Sequence, residues 1–147
     1  IFAASAVAQL AAGRIPPQRA VAVGCAILVV GMAILAVALH LSALPGLIMA
    51  AIVAGVGQGI SFSRGLAAVV ERTPPDRRAE VSSTYFVVAY VAISLPVVGE
   101  GLAAQHWGLR TAGVSFAVAV GILAMLCLIA ILMQEARQSR EVAAAEL

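Results

Sequence analysis

The chain has 147 residues, 63% of them hydrophobic and only 11% charged, with a formal net charge of +2. A water-soluble domain is about 45–50% apolar and roughly a quarter charged, and a chain this short has too much surface to hide the excess. That balance excludes a soluble enzyme, a disordered chain and a collagen-like chain, and the scattered small positive charge excludes a nucleic-acid surface.

The first apolar stretch, residues 1–12, spans roughly 18 Å as a helix, short of a ~30 Å hydrocarbon core. The chain opens at Ile1 with no Met and no positive leader, so this stretch reads as the end of a span begun upstream. Four full spans follow, at about 20–41, 44–70, 81–104 and 112–133, each long enough to cross a bilayer as a helix. No run alternates with period two, and lipid offers backbone groups no water partners, so the expected fold is an all-α membrane bundle. Residues 134–147 are polar and Ala-rich and read as a short cytoplasmic helix or tail.

The connections alternate in charge. Arg14 and Arg19 precede the first full span, Arg72, Arg77 and Arg78 lie between the second and third, and Arg137 and Arg140 lie in the tail. The intervening connections, residues 40–46 and 100–113, hold only Arg110. Seven arginines thus fall on one side and one on the other, which places the rich side and the C-terminus in the cytoplasm. Trp107 and His106 suit the outer interface. Thr73-Pro74-Pro75-Asp76 reads as an N-cap, a proline at the first helical position and an acid in the first turn.

No catalytic constellation or metal motif occurs, and neither an enzyme nor a bound cofactor is expected. Cys25 and Cys127 each sit in an apolar run and read as packing residues. The informative span is the second. On a helical wheel Ala54, Gly57, Gln58, Ser61, Arg64, Gly65 and Ala68 share one face. A small, polar stripe inside lipid faces another helix or a water-filled cavity, and Gly55-x-x-x-Gly59 fits close helix packing equally well. Arg64 lies about 9 Å from the cytoplasmic end, close enough to snorkel or to touch a solute. In the third span Tyr90 and Ser94 share a face near mid-membrane, Pro96 removes a backbone hydrogen bond, and Glu100 sits near the outer interface as an exposed carboxylate or a coupling residue.

Three segments resemble the major facilitator superfamily of transporters. The stretch from Ala12-Gly13-Arg14 to Gln18-Arg19 resembles its basic cytoplasmic loop. Gly55-Val56-Gly57-Gln58-Gly59, followed by Glu71-Arg72-Thr73-Pro74-Pro75-Asp76-Arg77-Arg78, is similar to its tenth helix and next loop. Leu95-Pro96-Val97-Val98-Gly99-Glu100-Gly101 is similar to the Pro/Gly segment of its eleventh helix. The first loop departs from the pattern in lacking an acidic residue, and the proline segment in lacking the preceding glycine. The resemblance implies the end of helix eight followed by helices nine to twelve of a C-terminal half, completed by an N-terminal half. It implies a secondary active transporter in a bacterial inner membrane, moving a small solute by alternating access. Protons are the expected coupling ion, and export is an open direction. Gln58, Ser61, Arg64, Tyr90 and Ser94 then become candidates to line the solute site, Glu100 a candidate for coupling, and Gly13, Arg14 and Arg19 for a cytoplasmic gate loop. The alternative is a non-transporting helical module for membrane assembly or anchoring.

Overall fold

The computed structural model describes residues 2–11 and 16–145. Five α-helices run in chain order: α1 (Phe2–Ala11), α2 (Pro17–Leu41), α3 (Leu44–Glu71), α4 (Arg78–Trp107) and α5 (Leu109–Ala145), and among the described residues there is no strand. Four of these helices are long and apolar enough to cross a membrane. The protein is an all-α, multi-pass membrane protein.

The helix ends follow local chemistry. The α2–α3 connection is tight because Ser42 takes the left-handed conformation, φ 53°, and closes α2. Pro45 then lies in the first turn of α3, where its missing N–H would have no partner anyway. Gly108, φ 81°, is the one residue between α4 and α5; this conformation disfavours a side chain with a Cβ.

Two sequence expectations change here. Residues 100–113 read as a connection, yet α4 runs unbroken through His106 and Trp107 and α5 resumes at Leu109, because only Gly108 interrupts the helical backbone. Thr73 does not cap a following helix. Its hydroxyl donates back to the Val69 carbonyl at 2.8 Å and helps close α3, while Pro74 precedes a short 3-10 helix, Pro75–Arg77, that leads into α4. The polar tail is helical too, continuous with α5 as far as Ala145.

Small residues hold the bundle together. Its buried apolar residues are mostly alanines, with Cys25 and Met32, and among the described residues no large side chain is fully buried. In lipid there is little hydrophobic force between helices, so association depends on close van der Waals contact, which small residues permit. The tightest seam joins α2 to α3. A Cβ on Gly57 would come within 2.6 Å of the Leu28 backbone nitrogen, and one on Gly31 within 2.7 Å of the Ala54 nitrogen. α1 meets α3 where Gly59 faces Ser5, and α5 packs on α2 through buried Ala112, Ala117 and Ala124 and through Gly121 against Met32.

α4 differs from the rest: none of its residues is buried. It is fastened at two places. Near its start, Tyr85 and Phe86 pack against Phe62 of α3, and at its end it turns through Gly108 into α5. Between those points it stands away from the bundle. It continues as one helix through Pro96.

Candidate functional site

The gap beneath α4 is a crevice of about 350 Å³ bordered by α2, α3, α4 and α5. Its walls are apolar, including Leu28, Met32, Pro96 and Phe116, and Gln58 is the polar residue among those that line it. Gln58 lies fourteen residues into α3, roughly 21 Å from that helix's start, near the middle of the membrane. A carboxamide there offers two donors and two acceptors to whatever enters. An apolar concavity with one oriented polar group is a common form of small-molecule pocket.

The structure separates the residues that the helical wheel placed on one face of α3. Ser61 points at α2, where its Oγ lies 3.9 Å from Cys25 Sγ and a Cβ on Gly24 would fall 2.4 Å from it. Gly57 also faces α2, whereas Gly65 faces Tyr85 of α4. The reason is angular. At about 100° per residue the seven positions cover an arc of roughly 120°, wide enough to meet two neighbouring helices at its two margins. One margin became the α2 seam and the other opens on the crevice. Arg64 is half-buried, with its Nε shielded from solvent.

Tyr90 and Ser94 are not among the residues lining the crevice with Gln58. They lie on another side of α4, both exposed, with Tyr90 at 71%. Glu100 is half-buried near the outer end of α4, and a Cβ on either flanking glycine, Gly99 or Gly101, would meet nothing within 4 Å. Arg19 is exposed in the first turn of α2, while Gly13 and Arg14 lie outside the described residues.

The cysteines divide as well. Cys25 is buried in the α2–α3 seam, and Cys127 is exposed on α5, so the expectation of a packed interior position holds for the first and fails for the second. A thiol is small and apolar enough to be tolerated at such an exposed position in lipid.

Sequence reasoning overlooked Tyr85. Its hydroxyl donates to the Phe62 carbonyl at 3.1 Å, and its ring meets Phe62 at 5.5 Å and Phe86 at 6.4 Å between centroids. Gly65, one turn from Phe62, makes room: a Cβ there would lie 2.9 Å from the Tyr85 oxygen. The signal was present in the spacing. Phe62 lies nine residues before the end of α3 and Tyr85 seven after the start of α4, so the antiparallel pair brings them to one depth.

Known proteins supply the remaining comparison. A sequence model of the Major Facilitator Superfamily matches residues 1–147. Searches of curated proteins and of solved structures gave no significant match. Members of the matching family are membrane transporters for small solutes, an activity consistent with a bundle of membrane-spanning helices around a mid-membrane crevice that holds a lone carboxamide. By its match along all its residues, this chain belongs to the major facilitator superfamily.

Proposed function

We propose that the protein is a secondary active carrier of a small solute, working by alternating access, and that its helices are the end of helix eight through helix twelve of the C-terminal half. The observation that carries this reading is the exposed side of α4. Tyr90 stands about 18 Å from the start of a 30-residue helix, at mid-membrane, and Ser94 lies one turn further on the same side. Hydroxyls at that depth are poorly matched to hydrocarbon; such groups face a polar path or another helix. In this reading Tyr90 and Ser94 face the solute path between the two halves. Gln58 supplies a second polar position within the half, and α4 rocks between its fastenings at Tyr85 and Gly108. Ser61 serves the α2 seam and leaves the lining set. Glu100, beside two glycines, is the coupling candidate, with protons as the ion. The arginine-rich ends, Arg19 among them, lie in the cytoplasm of a bacterial cell, and the membrane is the inner one.

The test needs no knowledge of the solute. In the complete transporter freed of Cys25 and Cys127, single cysteines at Gln58, Tyr90 and Ser94 are treated with a membrane-impermeant thiol reagent from each side. Reaction at Tyr90 and Ser94 well above that of a cysteine at Leu126, exposed on α5 away from the crevice, supports a water-filled path. Labelling no faster than at Leu126 from either side removes these residues from the path and favours a non-transporting membrane module.

A further inference from the structure

A second concavity lies away from the crevice, where the end of α3 meets the start of α4. It is a groove of about 340 Å³ whose mouth holds Arg77 and Glu80 and whose walls include Val69, Val81, Tyr85 and Val88. The charged pair sits at the membrane surface, beside the connection between two spans, and Val88 lies about 15 Å deeper along α4. The groove is therefore polar at the level of lipid headgroups and apolar at the level of acyl chains.

The two charges are available. Arg78 is committed to its own connection, with Nε donating to the Thr73 carbonyl at 3.2 Å. Among the described residues neither the Arg77 nor the Glu80 side chain forms a salt bridge, although both border one groove. A cation and an anion three residues apart, left unpaired over an apolar slot, match a ligand that carries both charges on an apolar tail.

We infer that this groove binds a phosphatidylethanolamine molecule. The phosphodiester accepts hydrogen bonds from the Arg77 guanidinium, the primary ammonium donates to the Glu80 carboxylate, and one acyl chain lies along the valines. Both headgroup bonds are charge-assisted, the stronger kind. Phosphatidylcholine has no N–H to give Glu80. Phosphatidylglycerol has no cation and presents its negative head to a carboxylate. The groove thus selects among lipids by the ammonium and not by net charge. The inference depends on the α3–α4 groove alone and not on the solute path.

Native mass spectrometry tests it on the complete transporter in detergent, with equal amounts of dioleoyl phosphatidylethanolamine, phosphatidylcholine and phosphatidylglycerol. The expected result is retention of phosphatidylethanolamine about five- to tenfold above phosphatidylcholine, the scale of one charge-assisted hydrogen bond near water. Glu80→Gln should lower phosphatidylethanolamine to the phosphatidylcholine level, and Arg77→Gln should lower both. Thr84→Trp and Val88→Trp each fill the groove without touching either charge and should displace the lipid, so one that misfolds leaves the other. Millimolar inorganic phosphate should displace nothing. Equal retention of the two zwitterionic lipids overturns the inference, as does a phosphatidylglycerol preference or a phosphatidylethanolamine preference that survives both Glu80→Gln and a groove-filling tryptophan. Absence of lipid from the wild-type protein, the mark of a groove filled by another protein segment, also overturns it.

Discussion

The Arg110 guanidinium donates a hydrogen bond to the backbone carbonyl of His40, joining the α2–α3 and α4–α5 connections seventy residues apart. Both ends must therefore lie on one side of the membrane, the side that holds a single arginine. The contact uses the cation itself, so the one arginine outside the basic side is occupied with a helix-end carbonyl.

The labelling pattern of the loops follows. In a protein lacking Cys25 and Cys127, cysteines at Ser42 and Gln105 should react with an impermeant reagent from the same face, the outer one, and a cysteine at Thr73 only from the other. Outside labelling at Thr73 would invert the proposed orientation. Labelling of Ser42 and Gln105 from opposite faces would contradict the Arg110–His40 contact.

The α2–α3 seam should be intolerant of added volume. Gly57→Ala places a carbon against backbone atoms of Leu28 and Gly24, which cannot rotate away. Overpacking of this kind destabilises by about 1–3 kcal/mol. Gly99→Ala and Gly101→Ala meet nothing in this structure and serve as the contrast. Thermal unfolding in detergent should show a lowered midpoint for Gly57→Ala and none for Gly99→Ala.

Tyr85 offers a graded test of how α4 is held. Tyr85→Phe keeps the ring against Phe62 and removes one hydrogen bond, an effect of about 1 kcal/mol. Tyr85→Ala removes the ring as well and should destabilise by about 3 kcal/mol or more. Chemical denaturation in mixed micelles checks the order. An equal effect of the two variants would mean that the aromatic packing contributes nothing.

Ser61 and Gln58 should separate in the complete protein. Ser61→Ala keeps the small volume that Gly24 requires and leaves the crevice unchanged, so transport kinetics should stay within about twofold. Gln58→Ala removes the crevice's amide and should change KM or rate by about tenfold, the scale of one hydrogen bond to a solute. Similar behaviour of the two variants would rejoin them as one site.

Much of the architecture was legible without coordinates because the membrane imposes it. Backbone groups in lipid must pair within their own helix, so span length and arginine placement could be read from one dimension. Ser42 and Pro45 mark the α2–α3 turn for reasons local to the chain, whereas the turn at Gly108 was hidden in the wider stretch 100–113. The family resemblance was legible for the same reason: its motifs lie in connections and glycine-rich helix stretches.

The division of the α3 stripe was not legible. Gly57, Gln58, Ser61 and Gly65 share an arc on any wheel, and only the positions of α2 and α4 send Ser61 to Cys25, Gln58 to the crevice and Gly65 to Tyr85. Periodicity reports which residues point the same way; it carries no information on what stands opposite. The separation of Tyr90 from Gln58 and the aromatic fastening of α4 belong to the same class. Local sequence determined that the chain folds as long apolar helices, because that depends on neighbours along the chain and on the solvent. Tertiary structure alone decided which polar groups meet one another, because that depends on how far apart small residues allow the helices to stand.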